Sequence, residues 1–498
     1  MSLRKKIIYG VSMVFLIASV SAAEKEIEDS RISDAVRNDL WLDKAVSSHN
    51  LDVETEDGIV MLSGSVDNIL AESRAVKIAR SIKGVRSVVE KITVRPVNRP
   101  DEKIKSDVIA ALVIDPVTES YETTVSVEDG KVRLTGTVES WAEKKLCERV
   151  AKSVSGVKSI ENDIDINYQA DREDSEIKSE IERRLTNDPY VYAALINVSV
   201  EDGIVELSGT VGSASQKSMA YNNAWVNGVK TVKQDNLEVK WWAEDKIRRD
   251  SKTVIKDDSK IKNAVKDALY YDPRTLSYDI KVSVENGVAT LRGDVASLRS
   301  KNSAEEDAEN TTGVIAVNNL INVRAGLVED KRIAQQVREA ILWNPVLERH
   351  KVDVMVRNGK VYIYGSVDSY FEKLEATEAA SSVNGVGAID NNIEVDYSGW
   401  AWKEDGEIKS EIEDEYYWSW DVDEDDITVS VDNGIVTLSG EVDSWGEAEA
   451  AIENAFDGGA RIVEVNFSVD GKKIYSPKYD YRTYFYKYDE SYFSDMTG

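Results

Sequence analysis

The stretch that decides the fold is Val125-Ser-Val-Glu-Asp-Gly130-Lys-Val-Arg-Leu-Thr-Gly136-Thr-Val138. Apolar residues alternate with polar residues on both sides of Asp129-Gly130, which is the pattern of two strands that each bury one face. Asx-Gly dipeptides supply the positive φ angles that tight hairpin turns require. The stretch therefore predicts a β-hairpin with Asp129 and Gly130 at its turn.

The same pattern occurs six times in the 498 residues, and we number the copies repeats 1 to 6. In each repeat an Asx-Gly turn is followed six residues later by a second glycine, and we predict that both glycines are structural turn residues. In chain order the pairs are Gly58 and Gly64, Gly130 and Gly136, Gly203 and Gly209, Gly287 and Gly293, Gly359 and Gly365, and Gly434 and Gly440. A regular period of this kind indicates a tandem repeat protein.

Each repeat continues with a second helix and a final strand. In repeat 2, Ser140 and Glu143 have the spacing of a capping box, in which side chains satisfy the free backbone groups at a helix start. Gly156 marks the expected left-handed end of that helix, and a valine-rich strand follows. With an amphipathic helix before the hairpin, each repeat reads helix, hairpin, helix, strand. The fold class is therefore α+β, with six tandem small two-layer domains.

The pattern V-x-V-x-D/N-G-x-V-x-L-x-G-x-V, followed by a serine-capped helix, Gly-Val and a final strand, resembles the BON domain. This family is named for bacterial osmotically inducible and nodulation proteins. The resemblance covers nearly the whole chain after residue 23, and it implies two helices on one face of a three-stranded mixed sheet. It also implies periplasmic proteins linked to osmotic stress, envelope integrity and phospholipid contact. It supplies no catalytic signature, so we expect no enzyme and no cofactor.

The N-terminus has the features of a secretory signal. Arg4-Lys5-Lys6 precedes an apolar run from Ile7 to Val20 and the small residues Ser21-Ala22-Ala23. We predict a cleaved signal peptide over 1–23 and export to the periplasm. A retained membrane anchor is the alternative, but the apolar run is shorter than the roughly 20 residues that span a bilayer.

The remaining boundaries follow from the repeat period. We predict BON-like domains at 24–96, 97–169, 170–240, 257–325, 326–397 and 398–470, a linker at 241–256 and a Tyr-rich tail at 471–498. A helical continuation through the linker is equally allowed. The tail could lie across the last domain, be offered to a partner, or be disordered.

Repeats three apart are the most alike. Asp115-Pro116-Val117 of repeat 2 matches Asn344-Pro345-Val346 of repeat 5, and residues 176–182 of repeat 3 are identical to residues 407–413 of repeat 6. The order is thus A-B-C-A-B-C. We predict that residues 24–240 and 257–470 superpose as whole three-domain blocks.

The charge excludes one class of partner. The formal net charge is −29, and loss of Arg4, Lys5 and Lys6 with the signal peptide makes it −32, since residues 1–23 contain no acid. A field of this sign repels nucleic acid phosphates and opposes broad adsorption to anionic lipid. Membrane contact must therefore be local.

Few residues suggest chemistry at a site. His49 and His350, the only histidines, lack the paired ligands of a zinc site. The acidic run Asp421 to Asp432 has Asp426 where a calcium loop requires glycine. Cys147, the single cysteine, fits a small buried hydrophobe. We predict no catalytic residue and no metal site.

Aromatic residues are the better candidates for contact with a lipid or a partner. Trp141, Tyr370 and Trp445 follow the cap of the second helix in repeats 2, 5 and 6, and they are our candidate contacts with a lipid interface or a partner, a hypothesis that requires them to be exposed. Packing on the hairpin or on a neighbouring repeat is the alternative.

Two functional hypotheses remain. One is a non-catalytic periplasmic protein that supports the envelope under osmotic or related stress by contacting a phospholipid membrane surface or envelope proteins. The other is an adaptor that binds a protein or an envelope polymer through aromatic patches and the Tyr-rich tail. The sequence leaves the ligand, the inducing stress and the oligomeric state open.

Overall fold

The computed structural model of the chain describes residues 27–43, 45–46, 50–118, 121–168, 172–242, 257–324, 328–396, 403–460, 462–469, 471–473 and 478–480. The predicted signal peptide and most of the linker and tail lie outside these residues. Within them, six units share the order helix, hairpin, helix, strand, which confirms the predicted fold class. Among the described helices, none combines the length and the apolarity that crossing a membrane requires.

Every repeat has two α-helices. The first helices are Asp29–Leu42, Asp101–Ile114, Asp174–Asn187, Asp258–Tyr271, Asp330–Trp343 and Asp405–Trp418. The second helices are Ile69–Ser81, Trp141–Lys152, Ala214–Asn223, Leu298–Glu309, Tyr370–Ser381 and Trp445–Asp457.

Every repeat also has one mixed sheet. The hairpins are Leu51–Glu56 with Ile59–Val66, Glu122–Glu128 with Lys131–Val138, Ile196–Glu201 with Ile204–Val211, Lys281–Glu285 with Val288–Val295, Val352–Arg357 with Lys360–Val367, and Ile427–Asp432 with Ile435–Glu441. The final strands are Ser87–Val94, Ser159–Ile166, Thr231–Lys233 with Leu237–Val239, Ala316–Val323, Ala388–Val395 and Ile462–Val469. In repeat 6, short strands at Lys472–Lys473 and Lys478–Asp480 add to the final strand.

The second hairpin strand is central in each sheet. In repeat 2, Val125 pairs with Leu134 across the antiparallel hairpin, and Val132 pairs with Ile160 of the parallel final strand. Every described sheet uses strands of one repeat only, as predicted. Each repeat therefore folds around its own core, and Cys147 is fully buried in that of repeat 2.

An aspartate locks each first helix to its hairpin turn. In repeat 2 the turn residues Asp129 and Gly130 have φ of 51° and 76°. Their backbone N–H groups donate to the two carboxylate oxygens of Asp101, the first residue of the first helix, at 2.8 and 2.9 Å. The same pair of bonds recurs with Asp29, Asp174, Asp258, Asp330 and Asp405. The sequence analysis did not identify this contact, because it joins residues 28 and 29 positions apart.

Removing one such carboxylate should loosen one repeat. We expect Asp101→Ala to lower the unfolding free energy of repeat 2 by about 1–3 kcal/mol, because two charge-assisted bonds to the turn are lost. Hydrogen exchange of the strand Lys131–Val138 measures this locally. The matched control is Asp165→Ala, at an exposed position of the same repeat. An equal effect of both substitutions would show that the Asp101 carboxylate does not hold the first helix to the turn.

The first two repeats of each half also share some buried residues. Ile69 and Val94 of repeat 1 belong to the buried cluster of repeat 2. The equivalent Leu298 of repeat 4 belongs to the cluster of repeat 5, and the equivalent Val323 packs against it. This arrangement agrees with the predicted block organisation, although superposition of the whole blocks stays a prediction.

The two halves also contact each other. The backbone N–H of Lys83 in repeat 1 donates to the Trp418 carbonyl in repeat 6 at 2.7 Å. The N–H of Ser155 in repeat 2 donates to the Trp343 carbonyl in repeat 5 at 2.6 Å. Repeat 1 therefore meets repeat 6, and repeat 2 meets repeat 5.

Candidate functional site

Trp141 lies between two repeats. Its ring stacks on Trp225 of repeat 3 with 5.6 Å between the centroids and 4° between the planes, and Tyr221 meets it edge-on. The indole is half-buried, and Lys145 lies 5.5 Å from its centroid. One face of this predicted contact residue is thus used to join repeats 2 and 3.

Trp445 does not have the predicted exposure. It is only 3% exposed and forms part of the core of repeat 6, with its Nε1 donating to Glu449 at 3.1 Å. Repeat 3 packs directly beside Trp445. The hydroxyl group of its Tyr190 occupies the space that a Cβ atom on Gly446, the next residue, would need. The expectation of an exposed Trp445 is therefore wrong. The side chain of Tyr370 lies outside the described residues, so its predicted exposure stays a prediction.

The structure exposes apolar side chains at a different position that is equivalent between repeats. This position is the penultimate residue of the first helix. Four repeats expose a large apolar residue there. They are Trp41, Val113, Tyr270 and Leu342, exposed to 61%, 54%, 58% and 64%. We call these four residues the first-helix tips. They belong to the A and B repeats of both halves.

A cation accompanies three of the tips. Arg37, Lys266 and Arg338 lie one turn before Trp41, Tyr270 and Leu342 and are exposed on the same helix face. In repeat 2 the corresponding residue is Ile109.

The C repeats have an acid in place of the cation, and neither exposes a large apolar residue at the tip position. Repeat 3 has Glu182 and Thr186 at these two positions, and repeat 6 has Glu413 and Tyr417. Tyr417 is covered by Arg31 of repeat 1, whose guanidinium lies 5.7 Å from the ring centroid. The combination of a cation and an exposed apolar side chain is thus confined to the A and B repeats among the described residues.

Sequence reasoning missed the tips because a single apolar residue near a helix end is ordinary surface composition. A signal was nevertheless present. Trp41 and Tyr270 are 229 residues apart, as are Val113 and Leu342, so an off-pattern apolar residue is retained at one helix position across the duplication.

The tips of repeats 2 and 5 lie in one region. The first helices of these repeats contact each other, Ile114 packs against the core of repeat 5, and Trp343 accepts its bond from repeat 2. Val113 and Leu342, the neighbours of these residues in the chain, therefore lie close to the contact between the halves.

A comparison with protein families identifies the repeats. The family model described as "BON domain" matches residues 28–96, 100–168, 173–240, 257–325, 329–397 and 404–471. The chain belongs to the BON domain family. It is a multi-BON protein in which each of the six repeats is one BON domain.

One curated relative of this BON protein is osmotically-inducible protein Y of Escherichia coli (strain K12). It is 33% identical over 154 residues, which cover 30% of this chain and 77% of the relative. Two solved structures of CdsD, a structural protein of the type III secretion system of Chlamydia trachomatis, are 15% identical with a TM-score of 0.12. They cover 41% and 42% of this chain and 90% and 98% of their own, and a likeness this slight carries no argument.

The fifth BON domain holds a small polar cluster. Ligand atoms of His350, Asp368 and Glu372 lie within 4.8 Å of one another. Arg349 donates to both carboxylates. Burial raises the pKa of Glu372, but the hydrogen bond from His350 and the charge of Arg349 outweigh burial and hold that pKa below its ordinary value. Because a guanidinium already compensates these carboxylates, we assign the cluster to fixing the start of the second helix. His49 lies outside the described residues.

Proposed function

We propose that this protein is a non-catalytic component of the periplasm that supports the envelope under osmotic or related stress by touching phospholipid at the first-helix tips. Its membership of the BON family and its likeness to an osmotically inducible protein support the cellular setting. The exposure of Trp41, Val113, Tyr270 and Leu342 at one equivalent position is the observation that carries the contact.

The energetics favour several weak points of contact over one. Burying a full Trp or Tyr side chain is worth about 4–6 kcal/mol, so a ring that is about three-fifths exposed gains roughly 2–4 kcal/mol. One tip alone gives weak and reversible binding. Several tips on linked domains bind together through their effective concentration.

The charges beside the tips select the kind of surface. The chain as a whole repels anionic lipid, but Lys266 places a cation next to Tyr270. Arg37 is paired with Asp34 and donates to the Val53 carbonyl, and Arg338 donates to the Val354 carbonyl. A cation such as Lys266 meets a lipid phosphate while the apolar side chain beside it enters the interface. Binding should therefore need an anionic phospholipid and weaken as salt is raised.

Vesicle flotation tests the contact. We expect the quadruple variant Trp41→Ser, Val113→Ser, Tyr270→Ser and Leu342→Ser to lose at least about 90% of its flotation with vesicles that contain anionic phospholipid, because about 1.4 kcal/mol changes affinity tenfold. Its unfolding should change little, because substitutions of exposed residues usually stay within about 0.5 kcal/mol each.

A matched control uses apolar residues that are exposed elsewhere. Met355 and Tyr364, exposed to 54% and 41%, lie on the outer sheet face of repeat 5. The variant Met355→Ser with Tyr364→Ser should float like the unchanged protein. Normal flotation of the tip variant, or equal loss in the control, would contradict a contact through the tips.

A second candidate function is an adaptor that binds a protein or an envelope polymer through the Tyr-rich tail. Lys478–Asp480 pairs antiparallel with Ile462–Glu464 at the edge of the last sheet, so the start of the tail lies across repeat 6. The tail beyond residue 480 lies outside the described residues. Pull-downs from envelope extracts with and without residues 481–498 separate the candidates, since the adaptor requires partners that are lost on truncation while vesicle flotation is kept.

A further inference from the structure

Contacts between the two halves come in equivalent pairs. Lys83 of repeat 1 donates its backbone N–H to Trp418 of repeat 6, and Thr312 of repeat 4 donates its N–H to Asn187 of repeat 3 at 2.9 Å. Lys83 and Thr312 are 229 residues apart, and Asn187 and Trp418 are 231 apart, which are the offsets of the duplication. The contact of repeat 1 with repeat 6 is thus the same as that of repeat 4 with repeat 3.

A second pair of positions behaves in the same way. Leu70 of repeat 1 packs against the core of repeat 5 in the other half. Arg299, its equivalent 229 residues later in repeat 4, reaches across to repeat 2 and bonds Asp115 at 2.8 Å. Arg299 also bonds Glu378 of repeat 5.

These pairings define a symmetry. A two-fold rotation that exchanges the halves turns the contact of repeats 1 and 6 into that of repeats 4 and 3, and it exchanges repeats 2 and 5, whose first helices contact each other. A linear array of repeats joins only successive members, so it does not bring repeat 1 to repeat 6. An interface that uses equivalent patches on both partners is the interface of a two-fold dimer.

We infer that each three-domain half carries a docking surface for the other half, so that the chain is a covalently joined dimer whose halves bind each other without the linker. The occupant is the other half and not a second copy of the same half. The reason is that equivalent positions have diverged: Leu70 is apolar where Arg299 is charged, so of these two residues only Arg299 can compensate Asp115, which is 2% exposed.

Cutting the intact chain tests this inference. A specific protease site placed within residues 243–256, outside the described residues, allows cleavage after the whole protein has folded. We expect the two fragments to elute together at the mass of the uncut chain in light-scattering chromatography at micromolar concentration. Elution as two separate species would overturn the inference.

A matched pair of substitutions tests the surface itself. We expect Arg299→Ala to raise the dissociation constant of the cut halves by at least about tenfold, because it leaves Asp115 buried without its cation. Arg292→Ala, at an exposed position of the same repeat, should leave that constant within about twofold, as surface substitutions do. Equal effects of the two substitutions, or no effect of Arg299→Ala, would also overturn the inference.

Discussion

Raising the pH from about 5 to about 9 is expected to weaken the contact between repeats 1 and 6, which we call the first seam. The contact between repeats 2 and 5, which we call the control seam, should stay closed. The first seam brings like charges together. Asp39 and Glu415, the eleventh residues of the first helices of repeats 1 and 6, face a common cluster with Asp457. In repeats 2 and 5 the same helix position is occupied by Ala111 and Ala340.

Burial is the main cause of the shifts in this cluster. Burial, with the charge of Asp457, raises the pKa of Asp39 to about 8. Burial also raises the pKa of Glu415, with Asp39 and Asp457 adding to it. Asp457 keeps more contact with solvent, so we base the prediction on Asp39 and Glu415. The other charged groups that face these three carboxylates are Glu411, Lys403, Arg74, Asp43, Glu453 and Lys77.

The sign follows from linkage. Each pKa is higher in the closed state, so protonation stabilises the seam fully below the ordinary carboxyl pKa of about 4, and this stabilisation is lost as the pH rises towards about 8. The Lys83 N–H reports on this seam through its bond to Trp418, and the Ser155 N–H reports on the control seam. Hydrogen-exchange protection of Lys83 should fall with pH much more than that of Ser155, after correction for intrinsic rates.

Substitution separates this effect from general alkaline unfolding. The variant Asp39→Asn with Glu415→Gln keeps the shapes of both side chains but removes their ionisation, so it should hold Lys83 protected at high pH. If both seams loosen together, or if the double variant still opens, the carboxylate cluster is not the cause.

Gly136→Ala is expected to destabilise repeat 2 by about 3 kcal/mol or more, at the upper end for single substitutions. Gly136 has φ of 138°, and a Cβ on it would lie 2.1 Å from the Glu122 carbonyl oxygen on the paired strand. The hairpin must open to admit one methyl group. Two measurements give the loss of stability: chemical unfolding of the whole protein, and hydrogen exchange of the strand Lys131–Val138.

Gly406→Ala is the control for this substitution. Gly406 lies in the first turn of a helix in repeat 6, and a Cβ there meets nothing within 4 Å. Alanine is the better helix former by about 1 kcal/mol, so stability should be kept or should rise. A stable Gly136→Ala variant would show that the strands separate more easily than this geometry indicates.

The sequence was sufficient to predict the fold of one repeat, since its signals are local. The Asx-Gly turn and the cap at Ser140 each follow from residues a few positions apart, and the structure has the hairpin, the second helix and the final strand there. The predicted end of that helix at Gly156 is wrong, because the helix ends at Lys152 and Gly156, with φ of 91°, lies in the turn that follows. The bond from the turn to Asp101 could not be predicted in this way, because it depends on how the first helix crosses the sheet.

The candidate site was harder to predict because exposure depends on how the repeats dock. Trp141 and Trp445 occupy the same helix position, yet repeat 3 covers one face of the first and packs beside the second. The tip residues Trp41 and Leu342 are 61% and 64% exposed once the repeats have docked. The sequence pattern of one repeat does not show which of its faces another repeat will cover.

The most direct test of the proposed contact is the depth of a tip in a membrane. A nitroxide label on Leu342→Cys, in a Cys147→Ala background, should be immersed in vesicles that contain anionic phospholipid and accessible to water in their absence. A label on Thr186→Cys, the equivalent position of repeat 3 beside Glu182, should stay in water in both conditions. Immersion of the label at 342 alone is the result we predict, and a label at 342 that remains in water on bound vesicles would contradict the proposal.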